Sequence, residues 1–281
     1  MTDTTSQPVN RPKLSIVIMA RDEELNIVDC VKSADFADEV IVVDTGSADD
    51  TRQLAAENRA IVKELAWHGF GLTKSKALEM GTGDWVLSLD ADERIPPALA
   101  EEILTEIRSS KHDGFELPRR SFFLGHEMRH GGWDRDWVLR LMRHGQFKVT
   151  GDAVHEKIIV KGSFKRLYHP LDHHTNPTFA AYQAKIELYS TLAAIKIAKD
   201  KSRHAGVWAG VRHGLAAIIK KYLLQQGYRD GALGALLAVS TGYEKFLRYT
   251  KAGLIRKGMV DELTRTRLNV VALEDSDKNS P

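Results

Sequence analysis

The chain has 281 residues, 43% hydrophobic and 28% charged, proportions ordinary for a globular protein with a sizeable core and far from those of a disordered chain or a coiled coil. Its single cysteine, Cys30, excludes a disulfide framework within the chain and suits a reducing compartment. The net charge of +2 conceals an asymmetry: Lys185 to Lys257 hold 14 Lys and Arg against 4 Asp and Glu, whereas residues 1–184 hold 23 against 29.

The opening MTDTTSQPVNRPK is polar, has no apolar run of the kind a secretory signal carries, and reads as a loose tail over residues 1–12. LSIVIMA (14–20) and EVIVVDT (39–45) are short β-branched runs that predict strands. The stretch between them carries Leu25, Ile27, Val28 and Val31 at helical spacing, with Cys30 expected to pack among them. The pattern repeats: DDTRQLAAENR predicts a helix, AIVKEL a strand, TKSKALEMG a helix stopped by glycine, and DWVLSLD a fourth strand. Strands alternating with helices predict a mostly parallel sheet covered on both faces, with ligands bound beyond the carboxyl ends of the strands. Asp44 and Asp90 both fall at such ends.

IPPALAEEILTEIRSS predicts a helix opened by prolines. DGFELPRRSFFLG, WVLRLMR and KVTGDAVHEKIIVKG then read as short strands with turns between them, and from Pro177 to about Lys257 the periodicity is helical. The expected organisation is therefore an α/β domain over 13–176, a basic helical extension over 177–258 and an acidic tail over 259–281. The most apolar stretch, GALGALLAVSTGY from Gly231, falls short of the ~18 apolar residues of a spanning helix.

VLSLDADERI (86–95) places Asp90, Asp92 and Glu93 at the end of a buried strand. Burying an unpaired carboxylate costs several kcal/mol, so a positive partner is expected there. An EF-hand loop beginning at Asp90 needs glycine where Ile95 stands. GFGLTKS lacks the Gly-Lys-Ser/Thr ending of a phosphate loop, and HEKII has Ile159 where a zinc protease needs its second histidine. HPLDHH (169–174) suggests zinc, but no cysteine or second ligand cluster accompanies it. What remains is an Asp-x-Asp pair at a strand end, where the carboxylates can share a hard divalent cation, Mg²⁺ or Mn²⁺, whose open positions take a diphosphate. The competing reading is a solvated turn.

LSIVIMARDEELNI, VIVVDTGSADDT and GDWVLSLDADE, in that order and spacing, resemble the family 2 glycosyltransferases of the GT-A fold. GGWDRDWVLRLMR, VHEKI and the helical GYRDGALGALLAVSTGYEKFLRYTK further resemble, within that family, the lipopolysaccharide core glucosyltransferases that act on an inner-core heptose. The resemblance implies a Rossmann-like α/β sheet with a helical C-terminal extension, a UDP-sugar donor and a lipid-linked saccharide acceptor. By matching position it places Asp44 on the uracil or ribose, Ala20 and Glu23 near the base, Asp90 against the ribose and metal, and Asp92 as the direct metal ligand. Lys74 or Lys76 would neutralise phosphate, a solvated helix face being the alternative for each.

An inverting transfer needs a general base for the acceptor hydroxyl. Glu156 and Asp136, both downstream of the metal motif, are the candidates. His155 is read as a further metal or phosphate contact or as a structural histidine, and Arg140 as a contact for the diphosphate or a phosphorylated acceptor, or as half of a buried ion pair. In the basic segment, Leu215, Ile218, Ile219, Tyr222 and Leu223 recur at helical spacing beside Lys220 and Lys221. Core packing would explain the stripe, but the accompanying cations, each worth about 1 kcal/mol near an anionic leaflet, favour peripheral association with the cytoplasmic membrane face. Nucleic acid is the rival partner for a basic segment, and no recognised binding motif supports it. A non-catalytic module that binds a nucleotide sugar or glycan is the alternative from outside the enzymes.

Overall fold

The computed structural model describes residues 11–133, 136–150, 157–176 and 178–259. The chain forms two compact units, one of Met1–Ser121 with Arg135–His174 and the other of Phe122–Asp134 with Thr175–Pro281. Glu156 and His155 lie outside the described residues.

The first unit opens as the alternation predicts, with β1 (Leu14–Ala20), α1 (Ile27–Ser33), β2 (Glu39–Asp44), α2 (Thr51–Glu57), β3 (Ile61–Glu64), α3 (Phe70–Leu78) and β4 (Trp85–Asp90). β3, β2, β1 and β4 are neighbours in that order and all parallel. The chain continues through β5 (Glu93–Arg94), α4 (Pro97–Ser109), β6 (Gly114–Phe123), β7 (His126–Glu127) and β8 (Trp137–Arg143). β9 (Phe147–Val149), β10 (Ile158–Val160), β11 (Phe164–Arg166) and β12 (Leu171–Thr175) follow. β8 joins β4 antiparallel, β6 joins β8 antiparallel, and the sheet continues through β12 to β5. The α/β class is thus present, with a parallel half that carries the motif strands and an antiparallel half beside it.

Period-two alternation divides β1 between two cores. Leu14, Ile16 and Ile18 face one way, with Ile27, Cys30 and Val31 of α1 and Leu99, Ile103 and Ile107 of α4. Val17 faces the other way, with Ile41, Val43, Val86 and the α3 residues Ala77 and Leu78. Coverage on both sides is why these strands read as continuous apolar runs rather than as alternating ones. Each fully buried Ile or Leu contributes about 1.5–3 kcal/mol. Pro97 begins α4, where its missing N–H costs nothing. In the turn before β4, a side chain on Gly83 would meet the Lys13 carbonyl at 2.8 Å and the Ser15 nitrogen at 2.9 Å, so glycine is required for the chain to pass.

The second unit contains α5 (Phe179–Lys199), α6 (Val207–Ile219), a π-helical turn (Lys220–Leu224), a 3-10 turn (Gly227–Asp230) and α7 (Gly231–Arg256). The Thr178 hydroxyl caps α5 by accepting the Ala181 N–H at 3.1 Å. Arg256 on α7 donates to the carbonyls of Ile197 at 2.8 Å and Asp200 at 2.7 Å, satisfying the carboxyl end of α5. Residues 122–134 join this unit through the Gly131 N–H, which reaches the Gln225 carbonyl at 2.8 Å, and the Lys221 ammonium, which reaches the Gly131 carbonyl at 2.6 Å. His130 adds two bonds to Asp230, at 2.7 and 2.8 Å.

Candidate active site

Parallel pairing sets three strand ends side by side: Ala20 of β1 lies opposite Asp44 of β2, and Met19 opposite Asp90 of β4. The loops that follow are tied to each other. The Ser47 hydroxyl accepts the Asp22 N–H at 2.9 Å, Asp22 accepts the Ala48 N–H at 2.8 Å, and Thr51 accepts the Glu23 N–H at 2.8 Å. The Glu23 carboxylate accepts from Asn26 at 2.8 Å. Asp44 is 1% exposed and takes N–H bonds from Gly46 and Ser47 at 3.0 Å, together with the Ser47 hydroxyl. Gly46 has φ of +104°, which a side chain would make costly, so the turn that wraps Asp44 depends on it. Asp44 therefore stiffens the rim on which Ala20 and Glu23 sit.

The question of what neutralises the acids of 90–93 has a specific answer. Arg140 of β8 is 5% exposed, and its guanidinium pairs with Asp90 and, at 2.6 Å, with Glu93. Lys74 of α3 approaches Asp90 to 3.5 Å. Arg119 of β6 lies 3.6 Å from Glu93 and holds Asp136 through its Nε at 2.7 Å and through Nη2. Asp136, Arg119, Glu93, Arg140, Asp90 and Lys74 thus form a chain of alternating charge that sums to zero. Strand order makes it possible, because β4, β8 and β6 are consecutive neighbours.

Burial pushes the Asp90 carboxyl up, but Arg140 and then Lys74 outweigh it and hold the group well below the ordinary carboxylate range. Glu93 is fully buried, and there burial prevails over Arg140, with Asp90 adding to it, so its carboxyl is pushed up. For Arg140 burial works against the charge, and Asp90 and Glu93 more than restore it. The pair of acids around one guanidinium is held apart in proton affinity: Asp90 carries the negative charge and Glu93 holds it less readily.

Asp92, two residues on, has different surroundings. Its carbonyl accepts the His174 N–H at 2.8 Å, and its carboxylate lies 3.4 Å from His173 Nε2. β12 brings these histidines to it by pairing antiparallel with β5, His173 opposite Glu93. Among the described residues no lysine or arginine pairs with Asp92. One carboxylate oxygen beside one imidazole nitrogen fits a hard divalent cation that keeps most of its positions for water and a diphosphate. Among the described residues no group of three such ligands gathers, as a closed structural metal site would require.

The structure thus brings Ala20, Asp44, Asp90 and Asp92 to one edge of the parallel strands, with Glu23 in the loop beyond. Lys74, not Lys76, reaches Asp90; Lys76 sits in the last turn of α3. Arg140 is committed to a buried ion pair. Asp136 is oriented by Arg119, which occupies one of its oxygens. Of the HPLDHH histidines, His169 goes to Glu102 of α4 at 2.9 Å while His173 goes to Asp92. Sequence reasoning passed over Arg119 and the pairing of His173 with Asp92. The one available signal was that arginines stand inside strand-like runs, Arg119 and Arg120 in ELPRRSFF and Arg140 in WVLRLMR.

Against known families, the model described as glycosyl transferase family 2 matches residues 15–168. A lipopolysaccharide core biosynthesis glycosyltransferase, LpsC of Rhizobium meliloti, is 29% identical over 158 residues, covering 53% of this chain and 58% of the relative. An uncharacterised glycosyltransferase of Rickettsia typhi is 38% identical over 104 residues, 37% of this chain and 36% of the relative. The match therefore spans less than two thirds of these relatives' length. Among solved structures, glucosyl-3-phosphoglycerate synthase from Mycobacterium tuberculosis, in complex with Mn²⁺, UDP and glucosyl-3-phosphoglycerate, is 25% identical with a TM-score of 0.34, over 40% of this chain and 44% of that one.

Proposed function

The chain belongs to glycosyl transferase family 2, and from that premise we propose that it is an inverting, metal-dependent glycosyltransferase that moves glucose from UDP-glucose to a lipid-anchored glycan, an inner-core heptose of lipopolysaccharide. The observation that carries this reading is the contrast at the end of β4, where Asp90 is neutralised by Arg140 and Lys74 while Asp92, among the described residues, lies beside His173 with no lysine or arginine paired to it. The likeness to LpsC, named for lipopolysaccharide core biosynthesis, supports the choice of acceptor.

In this reading Asp92 would hold Mg²⁺ or Mn²⁺, with His173 beside it and His155 as a further contact, and the bound cation would supply positive charge against the departing diphosphate. Ala20, Glu23 and Asp44 form the rim against which the uridine rests, with Asp44 acting through the turn it anchors. Lys74 stands next to the phosphates, and Lys76 is the second lysine of that helix. Arg140 keeps Asp90 ionised and fixed, so that the β4 end presents one orientation of the following Asp92. Glu156 or Asp136 takes the proton from the acceptor hydroxyl as it attacks the anomeric carbon from the face opposite the diphosphate. Arg119 would hold Asp136 in place for that role. The enzyme would work at the cytoplasmic face of the membrane, where a lipid-linked acceptor is presented.

The test is release of UDP from a panel of UDP-sugars, with and without Mg²⁺ or Mn²⁺ and with a truncated core acceptor. Metal-dependent release from UDP-glucose, accelerated by the acceptor and lost in Asp92→Asn, is the expected result. Turnover that ignores the metal or survives that substitution refutes the assignment of Asp92. Binding of UDP without turnover of any donor would instead favour a non-catalytic module.

A further inference from the structure

α6 is built with its faces reversed. The side turned toward α7 carries Gly210 and Gly214. A Cβ on Gly210 would stand 2.7 Å from the Phe246 carbonyl, and one on Gly214 2.8 Å from the Gly242 carbonyl. Backbone therefore meets backbone, and Ile218 fills the space over Gly242. Apart from Ile218, the largest apolar side chains of this segment face away from that contact. Trp208 is 84% exposed, Leu215 56%, Ile219 52%, Leu223 56% and Leu224 75%, with Tyr228 half exposed beyond them. Trp208, Leu215 and Ile219 are spaced i, i+7, i+11 and share one stripe about 17 Å long, which the π-helical turn extends to Leu223 and Leu224. A contiguous apolar patch of this kind marks an interaction surface.

Its charge selects the partner. From Lys201 to Arg229 the chain has six Lys and Arg and no Asp or Glu. Arg212 is exposed on the same face, one turn from Trp208 and from Leu215, and Lys220 and Arg229 are exposed at its C-terminal end. The acids on the neighbouring segments are already engaged, Asp230 by His130 and Glu244 by Arg248. No helix among the described residues is long and apolar enough to cross a membrane. An apolar stripe with aromatic residues at its ends, flanked only by cations, is the composition of a helix that lies in the plane of a bilayer surface.

We infer that the outward face of α6 and the turn after it seats the protein on an anionic phospholipid surface, Trp208, Leu215, Ile219 and Leu223 entering the acyl boundary while Arg212, Lys220 and Arg229 meet the headgroups. This deepens the membrane-surface part of the proposed function and rests on it only for the purpose of the contact, which is to bring the enzyme to a lipid-anchored acceptor. A second copy of this chain is disfavoured as the occupant because two such faces would oppose like charges without an acid between them.

The experiment is co-sedimentation of the full chain with phosphatidylcholine vesicles, with and without a third of phosphatidylglycerol, at low and high salt, in the absence of any nucleotide sugar. Wild type is expected to partition onto the anionic vesicles at least about tenfold better than onto neutral ones, and to come off with salt. Leu215→Glu with Ile219→Glu should lose that partitioning by at least tenfold. Trp208→Ala should weaken it severalfold without touching the α6–α7 contact, and Ile61→Glu, an exposed apolar position on β3, should leave it unchanged. Circular dichroism of each variant checks that the helices persist. Wild type that stays in the supernatant, or variants that bind as it does, overturn the inference. So does a wild-type dimer that becomes monomeric in Leu215→Glu with Ile219→Glu while vesicle binding is absent. UDP release by the same samples is read separately, so failure to bind vesicles and failure to transfer sugar are distinguishable.

Discussion

The two units treat charge and apolar surface in opposite ways. In the first, large apolar side chains lie on both faces of the parallel strands, and a chain of six charged groups is carried to the edge of the sheet with every positive group set against a negative one. In the second, α6 and α7 meet through glycine, Trp208, Leu215 and Ile219 of α6 face outward, and the exposed cations beside them lack acidic partners of their own segment. A neutralised cluster suits a site whose geometry has to stay fixed, since paired charges in a low-dielectric setting resist rearrangement. An unneutralised face suits a surface that meets an external anion. The same contrast recurs at smaller scale between Asp90, locked by Arg140, and Asp92, which faces an imidazole.

The largest effect should separate these two aspartates. Asp92→Ala is expected to lower metal-dependent turnover on the order of a thousandfold, several kcal/mol of transition-state charge stabilisation, while the denaturation midpoint stays close to that of wild type. Steady-state UDP release and a urea melt on the same preparation check both halves. Arg140→Ala should do the reverse in kind, destabilising the first unit by about 3–5 kcal/mol because Asp90 and Glu93 are left without their shared partner. If Arg140→Ala melts like wild type, the charge chain does not hold the site. Gly214→Leu tests the second unit: the side chain would meet the Gly242 carbonyl, and a loss of about 1–3 kcal/mol is expected from urea denaturation, with the site of the first unit unaffected.

The smallest effect concerns pH. Asp90 has its carboxyl lowered against burial by Arg140 and Lys74, and Glu39 and Glu102 are lowered against burial chiefly by hydrogen bonds from Ser15 and from the His169 N–H respectively. Such groups contribute stability that is complete above their unfolded values and is lost as the pH falls toward their folded ones. Glu93, raised by burial, works in the other direction, its contribution being lost as the pH rises through its folded value. Melting temperatures recorded from about pH 5 down to about pH 3 should therefore fall, and by less in Asp90→Asn. An unchanged slope in that variant would remove Asp90 from the account.

Much of the first unit could be read directly. The β-branched runs ending in Asp44 and Asp90, and the helices between them, follow from hydrophobic periodicity, which each segment carries in its own residues and which local backbone geometry converts into strands and helices. The Asp-x-Asp motif and its place at a strand end were legible for the same reason. Tertiary structure decided the rest. That Lys74 rather than Lys76 reaches Asp90 depends on which side of α3 packs on the sheet. That Arg119 and Arg140 complete the charge chain depends on β8 and β6 lying next to β4, and that His173 stands beside Asp92 depends on β12 pairing with β5. The apolar stripe of α6 is visible in the sequence, but whether it faces inward or outward is not, because period alone marks a face without saying what covers it. The close approach that two glycines permit at α7 turns Leu215, Ile219 and Leu223 outward, while Ile218, one position before Ile219, packs over Gly242.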